Sequence, residues 1–209
     1  DSLRLDDFCE SPPVESAVRV AFVCLGDPFT PSMLYKENYF IREALEAGHE
    51  VLVIDSNLTY ESGRVCRVDP TQTRDDLDFR LVRFPHLKTL GHVIGDKLRI
   101  VAGLATTLEE FQPNLVYYNT PQIHGINHAR RLRRLDPSIR IVCQFTTTFD
   151  NSSRSWPSRR ILHGLIYRHW IRAALPYLDA VYYVSPESKR VLPEVYALPA
   201  GRFECGRRP

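Results

Sequence analysis

Two short stretches of this 209-residue chain concentrate polar side chains directly after apolar runs. In 119–125, NTPQIHG, the groups are Asn119, Gln122 and His124. Amides both donate and accept, so this set suits a hydroxyl-rich ligand, or else it builds turn chemistry around Pro121. In 146–150, TTTFD, Thr146, Thr147 and Asp150 stand where an apolar strand has just ended. Such groups are costly to bury unpaired, so they hold a sugar or phosphate, or close local Thr and Asx turns. Arg154, Arg159 and Arg160 follow and meet either phosphate or solvent. His124 and His128 have the i, i+4 spacing of paired metal ligands. No Glu lies between them and no third ligand suggests itself, so no metal site is expected.

A third loop, 25–33, carries Gly26, Pro28 and Pro31 and ends with Ser32 as a helix N-cap. It contains neither G-x-G-x-x-G nor G-x-x-x-x-G-K-[ST], so no dinucleotide fingerprint and no P-loop is present. The elements around it are legible. Residues 18–24 are β-rich, and from 34 the apolar residues Phe40, Ile41, Ala44 and Leu45 recur at helical spacing. Gly48 stops that helix in the left-handed conformation that glycine adopts cheaply, and 51–54 is the next strand. Strand, helix, strand of this kind belongs to a parallel sheet covered on both faces.

The remaining chain repeats the alternation. Residues 55–62 read as a polar segment, Val65 and Val68 as part of a short strand, and 79–84 as a further strand ended by Pro85. One helix is expected over 93–111, a strand over 115–118, and a helix to Leu135 whose outer side carries Arg130, Arg131, Arg133 and Arg134. A strand at 139–145 precedes a long helix, 159–178, broken near Pro176. Its core face is assigned to Ile161, Leu162, Leu165, Ile166 and Leu175. His163 falls elsewhere, and Tyr167 and Trp170 beside arginines offer an anionic bilayer a contact, unless the helix simply packs on the sheet. A strand at 180–184 and a short helix capped by Ser185 close the series. The fold class is α/β: a three-layer Rossmann-like domain with a mostly parallel twisted sheet, whose polar loops open on one edge.

Composition sets the outer bounds. Apolar residues make up 44 % and charged residues 25 %, and a net charge of +2 gives no argument for nucleic acid. No run of 18 apolar residues exists to span a membrane, and 1–17 reads as a flexible polar lead-in rather than a signal peptide. The chain begins without Met, which reads as an excised piece. Five scattered cysteines without C-x-x-C fit a reducing cytoplasm.

Five passages, in order, resemble glycosyltransferase family 4 of the GT-B fold: KENYFIREALEAGHEVLVI, FQPNLVYYN, SIRIVCQFT, LDAVYYVSPESKRVL and ALPAGRFE. The resemblance implies that 18–204 is the N-terminal, acceptor-side domain and that 205–209 begins an interdomain linker. It implies a retaining transfer of sugar from a nucleotide-sugar donor to a glycan, lipid-linked or small-molecule acceptor. No cofactor is implied: the donor is a substrate, held mainly by a C-terminal GT-B domain supplied in cis or as a separate chain. Without that domain the chain is expected to be inactive. A cytoplasmic location with peripheral contact at the inner membrane face is also expected, and no nucleic acid. Where the family commonly has a Gly pair this chain has Gly26 with Pro28 and Pro31, and where a His often ends the fifth strand it has Thr146. By that correspondence Gly26 borders the donor phosphates and Thr146 faces the sugar. With Asp150, Thr146 is the expected catalytic pair; Gly26, Asn119, Gln122, His124, Thr147 and Arg154 are the expected substrate contacts. A non-catalytic module of the same fold and a GT-B sugar-nucleotide epimerase are the rival readings.

Overall fold

A computed structural model describes residues 17–27, 29–30, 35–61, 64–69, 77–87, 97–145, 155–183, 193–196 and 203–205. Its main sheet has seven strands: β1 (Arg19–Val23), β2 (Glu50–Ser56), β5 (Arg80–Phe84), β6 (Leu115–Tyr118), β7 (Arg140–Phe145), β8 (Ala180–Tyr183) and β9 (Phe203–Cys205). Their spatial order is β5-β2-β1-β6-β7-β8-β9, and every pairing among them is parallel. The chain therefore grows outward on one side of β1, then returns to grow outward on the other. All carboxyl ends lie on one edge, as the sequence predicts. The expected α/β class, with a Rossmann-like parallel sheet, is what the chain forms.

Alternation along each strand feeds two cores. Ala21, Val23, Leu52, Ile54, Val116, Tyr118, Ile141, Cys143 and Val181 face helices α2 (Leu104–Phe111), α3 (Ala129–Leu135) and α4 (Arg168–Ala174). Val20, Phe22, Val51, Val53, Leu81 and Tyr117 face helix α1 (Lys36–Glu46) through Ile41, Phe40, Ala44 and Leu45. Each fully buried Val, Leu, Ile or Phe among them contributes about 1.5–3 kcal/mol, so this two-sided burial dominates the stability of the sheet. Gly48, at φ 78, turns α1 into β2 as expected. Cys24 and Cys143 are buried at strand ends, where burial pushes both thiols up.

Several expectations are corrected. The polar segment expected from residue 55 is largely strand: β2 runs on to Ser56, and β3 (Leu58–Glu61) pairs antiparallel with β4 (Arg64–Arg67) as a separate two-stranded sheet. No single helix covers 97–111. Arg99 at φ 51 and Gly103 at φ 91 break the path, Val101 bridges to His86, and α2 starts only at Leu104. The helix after β7 opens as a π-helix, Ser158–Tyr167, before continuing as α4. Ile161 and Leu165, assigned to the core, are exposed, whereas His163 and Tyr167 are buried. The expected caps Ser32 and Ser185, and the lead-in over 1–16, lie outside the described residues.

On the amino edge, Asp179 ties three elements together. It accepts the Ile141 N–H at 2.7 Å and an Arg133 Nη2 hydrogen bond at 2.5 Å, and Arg140 stands 3.6 Å away. Burial works to raise the carboxyl, but the Ile141 amide and the arginines outweigh it and hold the group below its ordinary range. Charge-assisted bonds of this kind contribute about 1.5–3 kcal/mol. Asp179→Ala should therefore destabilise the protein by about 2 kcal/mol in urea denaturation at neutral pH. Because the folded carboxyl is depressed, that contribution is full above the ordinary carboxylate value and fades as pH falls through the folded one. The gap between wild type and variant should narrow in that acid window.

Candidate functional site

In an open parallel sheet, ligands bind beyond the carboxyl ends of the strands where the chain reverses direction, and here that place lies between β1 and β6. The loops leaving these two strands touch. The Gly26 N–H donates to Asn119 Oδ1 at 3.2 Å, and the Asn119 N–H donates to the Val23 carbonyl at 3.1 Å. A Cβ on residue 26 would stand 2.5 Å from Thr120 Cγ2 and 3.0 Å from Asn119 Oδ1, so a larger residue would have to displace the Thr120 side chain. Gly26 and Asn119, singled out separately in the sequence, are thus neighbours at the switch point.

Beyond Gly26 the same loop is held from below. The Phe29 N–H donates to Asp55 Oδ2 at 3.0 Å, and Arg83 Nη2 donates to the Phe29 carbonyl at 3.0 Å. Asp55 and Arg83 are register partners on β2 and β5, with Arg83 Nε 3.7 Å from the carboxylate. Both are buried. Burial pushes the Asp55 carboxyl well up, against the opposing pull of the Ser56 and Phe29 amides and of Arg83. Breaking a buried pair of this kind costs about 3–5 kcal/mol, against at most about 1 for the exposed Arg131–Glu109 pair. Thr30 adds a second anchor: its hydroxyl meets Thr59 Oγ1 at 3.0 Å and accepts the Tyr60 N–H at 3.2 Å, and its carbonyl accepts Asn38 Nδ2 at 3.1 Å.

Charged groups at this rim come from residues that the sequence reading passed over. Lys36 and Glu37 open α1, 3.4 Å apart, and Glu37 adds to the upward push of burial on Cys24 and Tyr117 at the carboxyl ends of β1 and β6. A cation in the first turn opposes the helix dipole, so Lys36 is there at a cost to the helix. Arg99, held at positive φ, donates to the Gln122 carbonyl at 3.4 Å. A non-glycine residue in that conformation carries strain of order 1–3 kcal/mol, the kind that gathers at functional sites.

The other expected residues fall differently. Gln122 is buried, and its amide nitrogen donates to Tyr196 Oη at 2.8 Å rather than opening on the crevice. Tyr196 Oη in turn lies 2.8 Å from His163 Nδ1. His124 is half-buried and stands edge-on to Trp170 at 5.3 Å and to His128 at 6.1 Å; burial lowers both imidazoles. Among the described residues no three metal-ligating side chains gather. Thr146, Thr147, Asp150 and Arg154 lie outside the described residues. A cleft of about 490 Å³ opens at the opposite edge, lined by Arg19, Glu109, Asn114, Leu132, Leu135 and Asp136. It contains none of the expected site residues.

Two measurements follow from this geometry. Gly26→Ala should destabilise the protein by about 1–3 kcal/mol. Thr120→Ser, which removes the clashing methyl, should recover part of that loss in a double-mutant cycle of urea denaturation. Burial, with Arg99 and Lys97 adding, pushes His163 down to about 4 from 6.5. Between those values the unfolded chain takes up a proton that the folded one refuses, so stability is full above the upper value and falls as pH drops toward the lower. His163→Gln should flatten that part of the pH–stability curve.

Residues 38–205 match the model of Glycosyltransferase Family 4. No curated protein matches the chain. Among solved structures, an alpha-glucosyltransferase in complex with UDP and a 13-mer DNA containing a central A:G mismatch is similar at 10% identity and a TM-score of 0.41. The similarity covers 81% of this chain and 38% of that one, so this chain spans about two fifths of its length. With the parallel sheet and its crevice in place, the match over most of the sequence settles the family: this chain belongs to glycosyltransferase family 4.

Proposed function

We propose that the rim at Gly26 and Asn119 is one wall of the cleft of a two-domain, retaining transferase, and that this domain orients the acceptor. A second domain, in cis or as a separate chain, holds the nucleotide of the donor. The reaction joins an acceptor hydroxyl oxygen to the anomeric carbon while the bond from that carbon to the diphosphate breaks and the hydroxyl proton departs. Two needs follow: charge stabilisation for the leaving diphosphate, and an oriented hydroxyl. Lys36 and Arg99 supply cationic charge on this side, and Gly26 borders the donor phosphates. Asn119 shapes that loop, while Gln122 supports it from behind. His124, whose imidazole pKa is lowered by burial, is one of the substrate contacts. Thr146 follows directly on Phe145, the last residue of β7, and with Thr147, Asp150 and Arg154 forms the acceptor side of the reacting centre. The acceptor is a glycan, a lipid-linked sugar or a small molecule, and the protein works in the cytoplasm without a resident cofactor.

The observation that carries this reading is the close approach of the β1 and β6 loops at the reversal point of the sheet. In the intact enzyme, incubation with a nucleotide sugar and an acceptor should give a glycoside with the anomeric configuration of the donor, read by NMR. Thr146→Ala and Asp150→Ala should each lower kcat at least tenfold while donor binding persists. Interconversion of the donor sugar without transfer, or full activity in both variants, would overturn the reading.

A further inference from the structure

Residues 155–178 contain Arg159, Arg160, Arg168 and Arg172 and no Asp or Glu. The helix they form spends one face on the protein: His163, Tyr167, Ile171 and Ala174 are buried. Its other face leaves large apolar side chains in solvent, Trp156 at 68 % exposure, Ile161 at 46 % and Leu165 at 65 %. Arg159 and Arg160, both exposed, sit between Trp156 and Ile161 in the chain. This is not the face that helical periodicity suggested. Tyr167 turns inward, and Trp170 packs on the core.

An apolar strip with tryptophan at one end and arginines beside it matches a bilayer interface. The charge complementarity is specific: a stretch with four cations and no acid meets anionic headgroups. A second copy of the same face would instead bring like charges together. The position is also meaningful. Through Tyr167 and Ile171 the helix packs on Phe145 and Tyr183, at the carboxyl ends of β7 and β8, so the strip flanks the rim that holds the crevice. We propose that the outward face of Ser158–Tyr167, with Trp156, seats this domain on an anionic membrane surface. The apolar trio enters the boundary between headgroups and acyl chains, and the arginines bind lipid phosphates. The inference stands apart from the chemistry of the crevice.

The test uses the intact protein with vesicles of phosphatidylcholine alone and of phosphatidylcholine with phosphatidylglycerol. Binding should favour the anionic vesicles and weaken with salt. Brominated acyl chains should quench wild-type fluorescence more than that of Trp156→Phe. Leu165→Ser and Trp156→Ser should each weaken binding about tenfold. The double variant Arg159→Glu with Arg160→Glu should weaken it at least about 25-fold. All of these positions are exposed, so melting temperatures and turnover of a water-soluble acceptor should be unchanged. That second readout separates failure of the membrane proposal from failure of the transferase reading. Equal binding to both vesicle types, binding indifferent to the substitutions, or a self-association that Leu165→Ser abolishes without vesicle binding would overturn the proposal.

Discussion

The structure depends on how closely two loops can pass where the chain changes direction across the sheet. The β1 and β6 loops meet through Gly26 and Asn119, and the missing Cβ at residue 26 makes the 3.2 Å hydrogen bond possible. A larger residue there would have pressed on the Thr120 side chain. The crevice and the packing beneath it are therefore one arrangement. The β1–β6 ladder brings the two halves of the sheet together, and at its end a close approach at a single residue joins loops 93 residues apart.

The rest of the rim serves to keep that contact rigid. On one side the Asp55–Arg83 pair grips both the N–H and the carbonyl of Phe29, using register neighbours on β2 and β5. On the other side Phe145, Tyr167, Tyr183 and Tyr196 form an aromatic cluster over the carboxyl ends of β7 and β8. The Tyr196 hydroxyl is held between Gln122 and His163, and the Tyr167 hydroxyl donates to the Lys97 carbonyl. Buried polar networks of this sort stabilise little unless every member is paired, but they specify one arrangement. A rim built on such a network holds its loops in one arrangement.

The architecture was largely readable because it rests on periodicity and on glycine. Apolar residues at helical spacing between Phe40 and Leu45, followed by Gly48, gave the first unit, and the family model matches most of the chain. Long-range polar pairing was not readable. Alternation along RLVRF does place Arg83 on the same face as buried Leu81, which signals an inward cation in need of an acid. Nothing in the sequence pointed to Asp55 as that acid. The π-helix was invisible because a search at 3.6 residues per turn assumes the geometry it looks for, and the wider turns moved Ile161 and Leu165 outward. Gln122 was recognised as a polar residue in a rim loop. Its partner Tyr196 lies 74 residues away, so its burial could not be inferred.

Amide hydrogen exchange of the intact enzyme, with and without nucleotide sugar and acceptor, tests the central claim most directly. If the crevice at the reversal point is the cleft wall, added substrates should slow exchange in the loops after β1 and β6, at Gly26 and Asn119 above all. The opposite edge, around Arg19 and Asn114, should exchange as before. Protection confined to that opposite edge, with the two loops unaffected, would contradict the account.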